Sequence, residues 1–146
     1  MARNLIRNQK GITMIELAIV LPILLIVLFA IAEISIALYD KAVLTNASRE
    51  GARAGIVARP PLQRLTDSEI RQVVRNYAST YLITFGSDTL DDGDITITPA
   101  NRNTLPFGSN LQVSVTYRYD FLVLSRLIAA ILGPINLNAT TVMKLE

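Results

Sequence analysis

GITMIELAIVLPILLIVLFAIAEISIALY, residues 11–39, is the stretch around which the chain is organised. Between Glu16 and Glu33 it holds no charged or strongly polar side chain, and it shows no polar face at helical period. As a helix this part rises roughly 24 Å, and extension to both ends of 12–39 gives enough length to cross a bilayer. We therefore predict a transmembrane helix over 12–39, in which neighbouring groups can satisfy the carbonyl that Pro22 frees.

The charges on either side of this helix predict its orientation. Arg3, Arg7 and Lys10 precede it without any acid, whereas Asp40 and Lys41 follow it and cancel. Basic residues concentrate on the cytoplasmic side. We therefore expect a single pass with a cytoplasmic N-terminus and an exported remainder.

A secretory signal peptide is the competing interpretation of a basic start followed by apolar residues. Its apolar core would be about 7–15 residues long and would end at a small-residue cleavage site. Here the apolar sequence continues past Ala30-Ile31-Ala32. The length favours a retained helix.

Glu16 needs an explanation, because a carboxylate one turn into an apolar helix is costly unless it is paired. Cleavage after Gly11 would give Ile12 a free ammonium group, and the carboxylate of Glu16 could then pair with the amine of a neighbouring copy and set the register of a helical bundle. Residues 10–17, KGITMIEL, resemble the class III signal of type IV pilins and pseudopilins, which a prepilin peptidase cuts after the glycine. An ordinary signal anchor with a chance glutamate near the headgroups is the alternative.

The composition of the chain excludes several function classes. Less the leader (residues 1–11) and the span, the 146 residues leave one small domain, and the net charge of +2 comes largely from the leader, so nothing supports nucleic-acid binding. Cysteine is absent, so no disulfide stabilises the domain. Histidine is also absent, which removes the commonest general base and metal ligand. We expect no enzyme, no catalytic residue, no metal and no cofactor.

Residues 40–59 continue the helix beyond the membrane. Three small residues lie along one edge of it: Ala47, Gly51 and Gly55. Two glycines are costly in a helix unless another backbone approaches closely, so we expect a sheet or a neighbouring helix to pack there. Arg49, Glu50 and Arg53 lie on the opposite side. They are either a solvated face with a weak Glu50–Arg53 pair or contacts to other subunits.

The order of these features resembles the TadE-like family, the minor pseudopilins of tight-adherence (Flp-type) pili. The resemblance rests on the apolar span, Glu33, Tyr39, the segment NASREGAR at 46–53 and, weakly, the closing residues 139–146. Leu17 departs from it, since tight-adherence pilins usually have an aromatic residue there, and the N-terminus is closer to type IV prepilins.

The resemblance implies a subunit of filament assembly in the bacterial inner membrane. Glu16 and Glu33 would be its assembly residues. Its partners would be other pilin or pseudopilin subunits, a prepilin peptidase, the inner-membrane assembly machinery and the lipid bilayer.

Residues 60–146 predict a small α+β domain. Pro60-Pro61 ends the long helix, and a capping box of Thr66 and Glu69 begins an amphipathic helix over about 67–82. Alternating patterns predict three antiparallel strands, at 95–98, about 111–119 and 137–145.

Two stretches of this domain leave alternatives open. Residues 86–94, GSDTLDDGD, offer oxygen ligands to calcium, but turns attract Asp and Gly for backbone reasons alone, and the spacing is not that of an EF-hand. Residues 121–132 are apolar but too short for a second span. They form either a short helix buried against the domain or one lying on the outer membrane surface.

Three functions compete at this point. The first is a pilin-like subunit, cut after Gly11. The second is an unprocessed, membrane-anchored binding module, and the third is a signal-anchored enzyme, which would need a serine–lysine or carboxylate pair that the sequence does not show.

Overall fold

A computed structural model gives the fold of residues 3–58, 63–84, 90–100, 102–122 and 135–146. The chain is α+β, as predicted, with two α-helices and a three-stranded antiparallel sheet in these residues. The elements are α1 (Arg3–Ile56), α2 (Asp67–Tyr81), β1 (Ile95–Thr98), β2 (Asn110–Tyr119) and β3 (Ile135–Lys144), with short 3-10 turns at Asp92–Asp94 and Arg102–Thr104.

Helix α1 is a single helix of 54 residues that contains Pro22. The mean hydropathy of its most apolar 18-residue window is 3.0, and none of that window is buried. From residue 11 to residue 32 every side chain is exposed except that of Ala30, which is half-buried. Length, composition and exposure thus fit a membrane-anchoring helix. The helix ends at Ile56, a few residues earlier than the proline pair predicts, and those prolines lie outside the described residues.

Helix α2 begins at the predicted capping box. The Thr66 hydroxyl accepts a hydrogen bond from the Glu69 main-chain N–H at 3.3 Å, and the Glu69 carboxylate accepts one from the Thr66 N–H at 2.8 Å. One stripe of the helix, Ile70, Val74 and Ala78, is buried. The predicted helix and its apolar face are therefore confirmed.

The sheet has the strand order β1-β2-β3, with β2 in the centre. Ile95 pairs with Val115, and Tyr119 pairs with Ile135. Alternate β2 side chains are buried in the core: Leu111, Val113, Val115, Tyr117 and Tyr119. The strand predictions are confirmed, and β3 begins two residues before the predicted start.

The C-terminal part of α1 packs along the sheet and along α2. Strand β2 runs antiparallel to α1, because an added Cβ at Gly55 would meet the Leu111 side chain, whereas the Tyr119 hydroxyl reaches the main chain of Glu33. Between these two points the Ser48 and Thr141 hydroxyls share a hydrogen bond of 2.7 Å. The end of the sheet at Tyr119 is therefore the end nearest the exposed apolar part of α1.

Candidate assembly site on the long helix

Glu16 lies on the exposed apolar part of α1, five residues after Gly11 and four after Ile12. Gly11, Ile12 and Glu16 are all exposed. Within the described part of the chain, the Glu16 carboxylate has no hydrogen bond or ion pair. A carboxylate surrounded by apolar side chains in a membrane is stable only when it is paired or neutralised. Glu16 can therefore be satisfied by a group from outside its own chain.

Glu33, the second predicted assembly residue, lies in a different environment. It is only 4% exposed, and the Tyr119 hydroxyl donates to its main-chain carbonyl at 3.4 Å. The sheet of the same chain covers it. The two glutamates at the ends of the apolar stretch thus differ, since Glu16 faces outward and Glu33 is enclosed.

Asp40 is a buried acid that the sequence analysis treated only as a flanking charge. It is 0% exposed, and its Oδ1 accepts a hydrogen bond from the Ile83 main-chain N–H at 3.0 Å. Its Oδ2 is buried and has no partner among the described residues. Burial raises the pKa of the Asp40 carboxyl, and the hydrogen bond from Ile83 offsets this in part. The seven-residue spacing from Glu33 to Asp40 to Ala47 places all three on one helix face, and this spacing could have revealed the burial.

Tyr119 of β2 lies near both acids. Burial, followed by the negative charges of Asp40 and Glu33, raises the pKa of its hydroxyl to about 12. The phenol is therefore neutral at physiological pH and acts as a hydrogen-bond donor to α1. This contact holds the Tyr119 end of the sheet to the helix.

The small-residue edge of α1 lies where the sheet and α2 meet it. Ala47 is fully buried. A Cβ added at Gly51 would clash with a methyl group of Val74, and one added at Gly55 would stand 2.6 Å from Ile70 and 2.7 Å from Leu111. Both glycines therefore permit a close approach of neighbouring elements of the same chain.

Arg49, Glu50 and Arg53 are exposed on the side of α1 that faces away from this packing. Glu50 and Arg53 form an ion pair of 3.8 Å with side chains 48% and 74% exposed. A pair this open to solvent contributes little to stability. The structure thus leaves these three side chains accessible from outside.

Arg64 joins the end of α1 to the C-terminal residue, a contact that the sequence analysis missed. The residue is 9% exposed, its Nη2 donates to the Glu146 carbonyl at 2.9 Å, and its Nε donates to the Ile56 carbonyl at 3.4 Å. No local pattern marks a lone arginine in a loop for such a role. The role becomes visible only in the structure, where the loop of Arg64, the end of α1 and the C-terminal residue contact one another.

The acidic side chains of the domain do not gather into a metal site in the part of the chain that the structure describes. Within the described ranges no three acidic side chains are placed to hold a metal, and Asp92 instead pairs with Arg75 at 3.2 Å. Residues 86–89 of the predicted acidic loop lie outside those ranges. A groove of about 430 Å³ lies between α2 and Leu90–Asp91, lined by polar and apolar side chains in about equal measure. Asp40, the acid with a raised pKa, does not line it.

Part of the chain matches a known protein family. Residues 11–53 match the family described as TadE-like protein. The match begins at Gly11 and ends at Arg53, so it includes Glu16, Glu33 and the segment NASREGAR. None of the curated proteins and none of the solved structures matches the chain. The family match supports a pilus-associated, pilin-like role.

Proposed function

We propose, from the premise that residues 11–53 are a TadE-like segment, that the chain is a minor pseudopilin of a tight-adherence (Flp-type) pilus. A prepilin peptidase would cut it after Gly11. The observation that carries the proposal is the carboxylate of Glu16, which lies exposed on an apolar helix and becomes the fifth residue after that cut.

The chemistry of assembly follows from this position. Cleavage leaves an ammonium group on Ile12, and in an apolar environment that charge and the Glu16 carboxylate each need a partner. A pair between neighbouring copies satisfies both and fixes how far one helix is shifted along the next. The exposed apolar side chains of α1 then pack against other helices, while the sheet domain remains outside the bundle.

The proposal also assigns location and partners. The basic leader places the N-terminus in the cytoplasm, so the domain is exported from the bacterial inner membrane, anchored by α1 until the subunit enters a filament. The partners are a prepilin peptidase, the assembly machinery in that membrane, and other pilin or pseudopilin subunits. Arg49, Glu50 and Arg53 are the contact candidates outside the membrane, because they are exposed on the free side of α1.

Cleavage is tested by the intact mass of the chain purified from membranes of a cell that contains a prepilin peptidase. We expect the mass of a chain that begins at Ile12. A chain that retains Met1 to Gly11 in such a cell contradicts the proposal and leaves a membrane-anchored binding module.

Assembly is tested by Glu16→Ala. We expect the variant to insert into the membrane in normal amounts and pilus production to be lost, because the amine of a neighbouring copy then has no carboxylate. Met14→Ala is the matched control, since Met14 is 75% exposed on the same turn but carries no charge. Normal pilus production by Glu16→Ala would rule out the register role.

A further inference from the structure

The end of the sheet at Tyr119, which we call its lower end, carries exposed apolar side chains beside α1. Leu122 is 57% exposed just after β2, and Ile135 is 41% exposed at the start of β3. At the same level of α1, on faces that do not pack against the sheet, Leu38 is 66% exposed and Tyr39 is 45% exposed. We call these four residues the lower rim.

The position of the lower rim relative to a bilayer follows from the length of α1. A span that begins at Ile12 reaches a rise of about 30 Å at Ala32, which equals the hydrocarbon thickness of roughly 30 Å. Glu33, the next residue, is covered by Tyr119 of β2, and Tyr119 pairs with Ile135 of β3. The end of the sheet therefore lies at the level where the hydrocarbon ends and the headgroup layer begins.

The charges at this end of the sheet indicate how deep the lower rim lies. Arg118 and Asp120 form an exposed ion pair of 3.5 Å beside it. Such a pair is tolerated among headgroups but is costly in hydrocarbon. Apolar and aromatic side chains next to polar ones are the composition that favours the membrane interface.

We infer that the lower rim is a second membrane contact, which rests in the headgroup layer of the outer leaflet and fixes the domain against the bilayer. The occupant of this surface is lipid, because the surface is continuous with the span and stands at the depth of the interface. Residues 123–134, which connect the two strands, lie outside the described residues. The inference depends only on membrane anchoring through α1 and not on filament assembly.

The experiment uses the absence of tryptophan from the chain. Leu122→Trp and Ile135→Trp each place one reporter in the lower rim, and both positions are exposed, so neither change disturbs the core. Phe107→Trp and Val142→Trp are matched controls near the other end of the sheet, where the native side chains are 74% and 52% exposed. Each full-length variant is reconstituted in phosphatidylcholine–phosphatidylglycerol vesicles that contain a lipid with a shallow spin label.

We expect the spin-labelled lipid to reduce the fluorescence of the two rim reporters at least twofold and to leave the two controls unchanged. Equal responses at the two ends of the sheet would overturn the inference. So would rim reporters that respond to aqueous iodide but not to the labelled lipid. Reporters protected from both quenchers would also overturn it, since they would show a protein contact, such as a second copy, in place of lipid.

Discussion

Asp40 is an acid buried at the point where α1 leaves its exposed apolar part. Its carboxyl is fully buried and accepts one main-chain hydrogen bond, so little around it favours a negative charge. Folding therefore places this residue in an environment that favours its protonated form. The stability of the domain should depend on pH through this residue.

The sign of that dependence follows from the raised pKa. A carboxyl that binds its proton more tightly in the folded state than in the unfolded state lowers stability as pH rises from the unfolded pKa, about 4, to the folded pKa. Above this window the cost is complete, and below it the cost is absent. We expect Asp40→Asn to raise Tm, relative to the unaltered chain, by a few degrees more at pH 7 than at pH 3.5.

Thermal unfolding in mild detergent at the two pH values checks this. Asp120→Asn is the control, because the Asp120 side chain is 56% exposed and its removal should shift Tm equally at both pH values. A change in Tm on Asp40→Asn that is the same at both pH values would show that ionisation of Asp40 does not lower the stability of the folded state.

At the scale of the elements, α1 meets the domain through the two glycines of its small-residue edge. The atom that faces Gly51 is a methyl group on the branched β-carbon of Val74, which has little freedom to move. The atoms that face Gly55 are the ends of the Ile70 and Leu111 side chains. Both contacts are close, but only the second can adjust by side-chain rotation.

We therefore expect Gly51→Ala to lower the free energy of unfolding by about 1–3 kcal/mol through overpacking, in spite of the better helix propensity of alanine. Gly55→Ala should change it by less, because the two side chains can yield. Gly93→Ala serves as the control, since an added Cβ there meets nothing within 4 Å. Denaturant titration followed by circular dichroism gives all three values, and equal losses for Gly51→Ala and Gly55→Ala would contradict the argument.

For the whole molecule, α1 is part of the domain core as well as the anchor. Leu44 and Ala47 are fully buried against the sheet and α2, and the buried face of β2 lies on this helix. We expect a fragment of residues 33–146 in mild detergent to unfold cooperatively on heating, and a fragment of residues 57–146 to show no cooperative transition. Near-ultraviolet circular dichroism of the tyrosines distinguishes the two, and a folded 57–146 fragment would show that the domain needs no helix.

The sequence allowed prediction of those features that depend on local pattern. The capping box at Thr66, the alternation in β2 and the small-residue edge of α1 each have a period or a motif, and the structure contains all three. The buried state of Asp40 and the contacts of Arg64 depend on segments far apart in the chain. The seven-residue spacing from Glu33 to Asp40 to Ala47 is a sequence signal for the burial of Asp40, but no local signal distinguishes Arg64 from a solvated arginine.

The environments of the two candidate assembly residues could be predicted only in part. Glu16 is visible in the sequence because an acid interrupts an apolar stretch. Glu33 interrupts the same stretch at its other end, yet the sheet encloses it, and the pairing of Tyr119 with the helix could not be seen from either sequence segment alone.

Because α1 is one continuous helix, it fixes the directions in which Glu16, Glu33 and Gly51 point around its axis as well as the distances between them. Glu33 and Gly51, which both face the domain, are separated by five helical turns, whereas Glu16 points about 100° away from them around the axis. A neighbour that meets Glu16 therefore approaches from the flank of the rod, clear of the side that bears the sheet. In the proposed filament, neighbouring copies can therefore contact one another side by side within the membrane while their sheet domains point away from the contact.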